Sequence, residues 1–228
     1  MRYIVCDVEC TGLTRLSGDI YQPLSVSKSG SEVIQIGGLI LDERFNPTKG
    51  FRHYCDCMVA HSDARAYAVH QIDLREVRRL VGGIFLEEVL CCWIPEFYDE
   101  NVTFIGYNTM FDMQMVRQST REFPVEFIMP KRVLSKFPQQ GRHFVDVMDF
   151  VPGTRRKLVS FRGYLEPLFQ EFQQKYASRL RIESNYSSQL TDNFSAHDAL
   201  YDSIMTYLLF HDLVLGKRIP SGVKRSVT

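Results

Sequence analysis

Residues 3–13, YIVCDVECTGL, combine an apolar, strand-like segment with two carboxylates. The β-branched and aromatic residues predict a buried strand that ends at the turn-prone TGL. Side chains two residues apart in a strand point to the same face, so Asp7 and Glu9 project together. Like charges held that close favour protonation unless a cation lies between them. A solvated strand face is the commoner explanation of an isolated D-x-E pattern, so the remaining sequence must distinguish the two.

The composition is that of an ordinary globular domain. The chain has 228 residues, 45% hydrophobic and 24% charged, which is enough for one full-sized core. Its 27 basic and 27 acidic residues cancel, so only a local charge asymmetry could indicate nucleic acid. The sequence contains no apolar run of 18 or more residues, so it predicts no membrane-spanning helix. Without a secretory signal we expect reduced cysteines and a cytoplasmic location.

One segment, HYCDCMVAH, has the residue types of a zinc site in His53, Cys55, Cys57 and His61. Alternation over residues 51–59 places the first three on one strand face, where cysteine behaves as a small hydrophobe. Cysteines that bind zinc are more often separated by two to four intervening residues across a turn, whereas a single residue separates Cys55 from Cys57. We therefore expect a strand here rather than a structural zinc site.

The rest of the sequence predicts strands and helices in a definite order. Alternating or continuous apolar runs predict strands, and apolar spacing of three and four predicts helices. The predicted strands cover 2–10, 32–42, 51–59, 102–108 and 143–151, and the predicted helices cover 73–81, 83–98, 111–123, 158–176 with a break at Pro167, and 195–216. Residues 14–31, rich in Ser and Gly, predict a long loop.

This order indicates the fold class. Three successive strands predict an antiparallel meander, and strands that then alternate with helices predict parallel additions. We expect an α/β domain whose five-stranded mixed sheet is covered by helices on both faces.

Four carboxylates fall at the ends of buried elements rather than on solvated faces. Asp7 and Glu9 lie on the first strand, Asp112 opens the helix after the fourth strand, and Asp202 lies in the last helix. So many buried carboxylates need cations, and hard oxygen ligands suit Mg²⁺ or Mn²⁺. Two such ions about 4 Å apart stabilise the attacking and leaving oxygens of phosphodiester hydrolysis.

Three segments resemble the motifs of one family, in order and on the expected elements. DVECTGL, IGYNTMFDMQMV and AHDALYDSIMT resemble the motifs of the DEDDh (DnaQ-like) 3′-to-5′ exonucleases of the ribonuclease H-like superfamily. That family includes proofreading subunits, RNase T-like enzymes and oligoribonucleases. The resemblance covers residues 2–215 and implies a ribonuclease H-like fold. We therefore expect an exonuclease domain over 1–215 and a basic, flexible tail over 216–228.

The resemblance also implies roles for individual residues. Asp7, Glu9, Asp112 and Asp202 would hold two divalent cations, Mg²⁺ or Mn²⁺, with Asp7 bridging both. His197 would act as the general base that takes a proton from the attacking water. A histidine just before a helix suits that role, because its ordinary pKa near 6.5 lies close to neutral pH.

The family's substrate contacts correspond to two further groups of residues. Thr11 and Gly12 would position the terminal nucleotide through their backbone, and Leu13 would wedge against its base. Many relatives have His-Asn where this chain has Tyr107 and Asn108. Tyr107 therefore either offers an aromatic surface to the substrate or packs into the core.

Local charge and loop length bear on the substrate. Residues 131–162 carry eight basic and two acidic side chains, an excess that fits either a phosphate backbone or a solvated surface. The eight are Lys131, Arg132, Lys136, Arg142, Arg155, Arg156, Lys157 and Arg162. Residues 14–31 and 173–194 exceed the minimal family pattern and could shape the entrance to a cleft.

The sequence thus predicts an exonuclease that releases nucleoside 5′-monophosphates from the 3′ end of single-stranded DNA or RNA. An RNA-trimming or oligoribonuclease-like enzyme is the alternative within this class. A non-catalytic module that binds nucleic acid or a polymerase is the alternative outside it. The likeness to proofreading subunits implies a polymerase or another replication protein as a partner, and no membrane.

Overall fold

The computed structural model describes residues 2–12, 30–99, 101–120, 143–151, 157–176, 178–185 and 197–216. The strands are β1 (Arg2–Cys10), β2 (Val33–Leu41), β3 (Pro47–Tyr54), β4 (Val102–Gly106), β5 (His143–Asp146) and β6 (Arg181–Ser184). The helices are α1 (Ala64–His70), α2 (Leu74–Val81), α3 (Leu86–Trp93), α4 (Thr109–Ser119), α5 (Arg162–Tyr176) and α6 (Ala199–Leu209). Short 3₁₀ turns cover Pro95–Tyr98, Val147–Phe150 and Leu158–Phe161, and a π turn covers Phe210–Val214.

The strands form one mixed sheet in the order β5-β4-β1-β2-β3-β6. The central strand β1 pairs antiparallel with β2, where Val5 lies opposite Leu39. On its other side it pairs parallel with β4, where Val5 lies opposite Ile105. The antiparallel meander and the two parallel additions are therefore confirmed.

The sheet has six strands in the described residues, so the expected count of five is wrong. Strand β6 pairs parallel with β3, with Phe51 opposite Glu183, and it lies within the segment 173–194 that we interpreted as an insertion. Its sequence, RIES, offers one buried apolar residue, Ile182, between charged neighbours. Four residues are too few for a period of two to be recognised.

Alternation along β1 divides the core into two layers. Ile4, Cys6 and Val8 pack into a cluster that includes residues of α3 and α4. Val5 packs on the opposite face into a cluster that includes residues of α5 and α6. Because Asp7 and Glu9 share the face of Val5, the fold directs both carboxylates towards α6.

The cysteines of the central segment lie in the interior, as hydrophobic side chains. Strand β3 ends at Tyr54, earlier than predicted, yet Cys55 and Cys57 are both buried. Cys57 packs with Ile34 and Leu74 in a small separate cluster. Burial raises the pKa of both thiols, so they remain protonated.

Apart from the exact positions of helix ends, α1 and α5 differ most from prediction. Helix α1 was not predicted, because it buries only His70 and so lacks an apolar period. Helix α5 continues through Pro167, so the predicted break is wrong. Leu165, Phe169 and Phe172 keep one buried stripe along α5, and this packing outweighs the hydrogen bond that proline removes. Within the described residues no helix is long and apolar enough to span a membrane.

Candidate active site

The edge of β1 is open where its two carboxylates lie. Pairing with β4 ends at Val5 and Ile105, while β1 continues to Cys10. The Val8 N–H, beyond that pairing, donates to the carboxylate of Asp112 in α4. This hydrogen bond links Asp112, from the second motif, to the strand that carries Asp7 and Glu9 of the first motif.

A tight turn brings Asp112 to this edge. A Cβ on Gly106 would lie 2.7 Å from Thr109 Oγ1, so a side chain there would prevent the turn. Asn108 follows with a left-handed backbone, φ 66°, which asparagine tolerates better than most residues. Its N–H donates to Asp146 Oδ1 at 2.9 Å, which anchors the start of α4 to the end of β5.

A close approach of two backbones brings α6 over the sheet. A Cβ on Gly37 of β2 would lie 2.2 Å from the Leu200 nitrogen, so only glycine permits this packing. Ser203 Oγ donates to the Gly37 carbonyl at 2.9 Å and fixes the same contact. The first turn of α6, which contains Asp202, therefore lies above β1 and β2.

The histidine and two carboxylates converge. Ligand atoms of Glu9, His197 and Asp202 all lie within 4.8 Å of one another. His197 Nδ1 is 4.0 Å from Asp202 Oδ2, and the His197 backbone N–H donates to the Asp202 carboxylate. The His197 side chain is 38% exposed and that of Asp202 17%, so the group opens to solvent from the histidine side.

The four carboxylates raise one another's pKa. Burial and then the charges of Asp112 and Asp202 raise the pKa of Asp7 well above its ordinary value. Burial and then Asp202 raise the pKa of Glu9 to about 9. Burial raises the pKa of Asp202 to about 7. Without a cation, simultaneous ionisation of all four carboxylates at neutral pH is therefore disfavoured.

The cluster fits a divalent cation. Burial and the charge of Asp146 raise the pKa of Asp112, and Asp112 Oδ2 is buried without a hydrogen-bond partner among the described residues. An orphaned buried carboxylate oxygen is costly unless a ligand completes it. The donors are carboxylate oxygens with one imidazole nearby, which is a set that suits Mg²⁺ or Mn²⁺.

His197 has the protonation state that a general base needs. Burial lowers its pKa, and the positive charges of Arg162 and Lys157 lower it further. Its imidazole is therefore neutral near pH 7 and can accept a proton. Its backbone has φ 69°, an uncommon conformation for a bulky residue.

Sequence reasoning missed a buried network behind His197. Asp198 caps α6 by accepting the N–H groups of Leu200 and Tyr201. Arg52 Nε lies 3.4 Å from Asp198 Oδ2, and Gln35 Nε2 donates to the same oxygen at 3.1 Å. Gln35 Oε1 accepts the Ala199 N–H at 2.9 Å. The adjacent aspartate in AHDAL, at the start of a predicted helix, was the available signal for a cap.

The predicted contacts at the end of β1 lie in a closed turn. The Thr11 N–H donates to the Glu32 carbonyl at 2.8 Å, and its carbonyl accepts the Asp63 N–H at 2.6 Å. A Cβ on Gly12 would meet Ser31 Oγ at 2.8 Å. A nucleotide contact through the Thr11 N–H would therefore require its bond to the Glu32 carbonyl to open. Leu13 lies outside the described residues.

Tyr107 and Asn108 have different environments. Tyr107 is half-buried and its ring lies 6.5 Å from that of Phe161, so it packs against the core beneath α6. The Asn108 side chain is exposed and makes no capping bond to α4.

Most of the predicted basic segment lies outside the described residues, as do residues 14–29 of the predicted loop and residues 217–228 of the predicted tail. Of its eight basic residues, Lys157 and Arg162 are described, and both side chains are exposed. They line a cavity together with His197 and Asp202. Positive charge therefore lies beside the carboxylates, on the side where the cluster opens to solvent.

No protein-family model and no curated protein matches this chain. Solved structures do match. The structure of E. coli exonuclease I with a dT13 oligonucleotide gives a TM-score of 0.50 at 14% identity, over 94% of this chain and 42% of that chain. Exonuclease I with the inhibitor BCBP gives 0.51 at 13% identity, over 92% and 41%. A further exonuclease I structure gives 0.50 at 15% identity, over 96% and 41%.

These similarities establish the class of fold, a mixed α/β sheet with helices that this chain shares with the exonuclease I structures. This chain spans about two fifths of the length of the chains it matches, with 40% to 42% of each covered. None of these similarities indicates a polymerase partner, so that expectation stays a prediction.

Proposed function

We propose that this chain is a metal-dependent 3′-to-5′ exonuclease that removes nucleoside 5′-monophosphates from single-stranded nucleic acid. The observation that carries the proposal is the buried carboxylate cluster of Asp7, Glu9, Asp112 and Asp202. A purely structural role does not explain four mutually repelling carboxylates on three separate elements. A binding module has no use for them either, because a phosphate backbone is attracted by cations and repelled by carboxylates.

Each residue has a role that its environment supports. The four carboxylates would hold the divalent cations, and the orphaned oxygen of Asp112 is available for this purpose. Bound cations would supply Lewis-acid stabilisation of the charge that develops on phosphate oxygens. His197, neutral and beside Glu9 and Asp202, would accept the proton of the attacking water.

The direction and the substrate rest on the motif resemblance and on the fold. The TGL segment that follows Glu9 is where the family holds the terminal nucleotide. One of the structures that share this fold contains a dT13 oligonucleotide, a single DNA strand. A terminal nucleotide held next to the carboxylates favours stepwise release from the 3′ end.

The test uses four oligonucleotides of equal length and sequence: DNA and RNA, each with a free or a blocked 3′ end and a label at the 5′ end. We expect a ladder of products one nucleotide apart from the free strands with Mg²⁺ or Mn²⁺, and none with EDTA. The blocked strands should stay intact. Undiminished cleavage in excess EDTA would refute the metal assignment, and a single internal cut would refute the exonuclease assignment. The ratio of DNA to RNA turnover distinguishes an exonuclease that degrades both DNA and RNA from an RNA-trimming enzyme.

A further inference from the structure

We propose that Lys157 and Arg162 form, beside His197, a subsite for the phosphate group of the terminal nucleotide. This inference deepens the exonuclease function proposed above and rests on it. The two cations line a cavity of about 120 Å³ together with His197 and Asp202. A group bound there would lie between the positive charges and the candidate metal site.

The two cations are free to bind an anion. Within the described part of the chain, neither head group has a hydrogen-bond or ion-pair partner, and both side chains are exposed. Glu166 lies four residues after Arg162 on α5, the spacing at which helical side chains pair. Glu166 instead accepts the hydroxyl of Tyr201, with 3.0 Å between the oxygens. The nearest candidate counterion on the helix is therefore engaged elsewhere.

Both cations lie beside the groups proposed to react. Lys157 and Arg162 line the same cavity as His197 and Asp202. A phosphate bound in that cavity would therefore meet both positive charges next to the candidate general base and one candidate metal ligand.

The apolar side chains of the cavity indicate what sort of anion fits. Leu158 and Met205 line the same cavity as the two cations. The Tyr201 hydroxyl is already donating to Glu166, so its ring adds a largely apolar surface. A cavity lined by apolar side chains and two cations suits a phosphate attached to a sugar. Guanidinium binds phosphate oxygens through two parallel hydrogen bonds, and ammonium adds a point charge.

Phosphate could reach this subsite from two sources: the scissile diester of the bound strand, or the monophosphate product before release. Equilibrium binding separates them. We would measure, in Ca²⁺, the affinity of the full chain for thymidine 5′-monophosphate, for thymidine and for an uncleaved oligonucleotide with a free 3′ end. The variants are Arg162→Met and Lys157→Met, with Arg179→Met as control, because Arg179 is an exposed arginine just after α5.

We expect Arg162→Met to weaken monophosphate binding about ten- to hundredfold, since it loses charged hydrogen bonds, and to leave thymidine binding unchanged. Lys157→Met should have a smaller effect, and Arg179→Met none. Weaker oligonucleotide binding in the same variants would assign the subsite to the diester as well, and unchanged oligonucleotide binding would assign it to the product alone. Equal monophosphate affinity in wild type and Arg162→Met would overturn the proposal, as would parallel loss of thymidine binding.

Cleavage of the 5′-labelled strand with a free 3′ end, measured in parallel with Mg²⁺, separates this inference from the proposed function. A wild type that cleaves, with monophosphate affinity independent of Arg162, would refute the subsite and leave the exonuclease standing. A wild type that never cleaves, yet binds monophosphate through Arg162, would refute the exonuclease and leave a phosphate site.

Discussion

Replacing Asp202 by asparagine should stabilise the metal-free protein while abolishing hydrolysis. The carboxylate is 17% exposed and shares its site with Glu9 and Asp7. Burial raises its pKa from 3.8 to about 7, so ionisation at neutral pH works against the fold. Asparagine has almost the same shape, keeps an oxygen for the His197 N–H, and carries no charge.

The pKa shift sets the size of the effect. About three pKa units correspond to about 4 kcal/mol, and solvent at the open side reduces this, so we expect about 2 to 4 kcal/mol. For a chain of this size that raises Tm by about 5 to 15 °C. Because the folded pKa is raised, the wild type keeps its full stability below about pH 4 and loses it as the pH rises towards 7. The advantage of Asp202→Asn should therefore be near zero at pH 4 and maximal above pH 7.

Thermal unfolding in EDTA between pH 4.5 and 8.5 measures this difference, and addition of Mg²⁺ provides a second test. Mg²⁺ should raise the Tm of the wild type more than that of the variant, because the variant lacks one ligand. Glu88→Gln is the control, since Glu88 is exposed on α3, which packs against the other face of the sheet. A variant no more stable than wild type in EDTA at pH 8 would refute the repulsive cluster.

Three further predictions follow from the same geometry. His197→Ala should slow single-turnover cleavage by about a hundredfold to ten-thousandfold with oligonucleotide affinity in Ca²⁺ unchanged. As the pH rises, the wild-type rate should level off above the pKa of His197, which is lowered below 6.5, whereas the rate of the variant should keep rising. Equal cleavage rates in the variant and the wild type would make His197 structural. Arg52→Met should lower the free energy of unfolding in urea by about 3 to 5 kcal/mol, because the buried carboxylate of Asp198 loses its positively charged partner. Adding Asp198→Asn should recover most of this loss. An Arg52→Met variant as stable as the wild type would contradict the prediction. A circular single strand should resist degradation on a denaturing gel, and its efficient cleavage would exclude dependence on a 3′ end.

The sequence predicted the centre of the sheet and the shared face of Asp7 and Glu9, because both depend on local patterns. The alternation in β1 required Asp7 and Glu9 to share a face, and the structure places both on the side of α6. Strand β6 could not be predicted from its own four residues. Its stability comes from pairing with β3, where Gly50 lies opposite Ile182, and such pairing leaves no periodic signal in the chain.

The buried network of Gln35, Arg52 and Asp198 was not predictable for a related reason. Gln35 and Arg52 lie in strands whose sequence patterns are those of ordinary strands. Both side chains contact Asp198, which is more than 140 residues away in sequence. A polar residue within a buried strand indicates that a partner exists, since it must be satisfied. It does not indicate which partner, because that depends on how α6 crosses β2 at Gly37.

A residue with a left-handed backbone lies close to the start of each helix that carries a carboxylate of the site. Asn108, at φ 66°, directly precedes α4, whereas His197, at φ 69°, precedes the Asp198 cap of α6. Asparagine adopts this conformation at little cost, but histidine does so less readily, and such strain persists only where the surroundings hold it. At His197 the surroundings are the Asp198 cap, fixed by Arg52 and Gln35, and the hydrogen bond to Asp202. The network therefore helps to hold the His197 backbone in this conformation, and the fold places the same strained residue beside the carboxylates that it would serve.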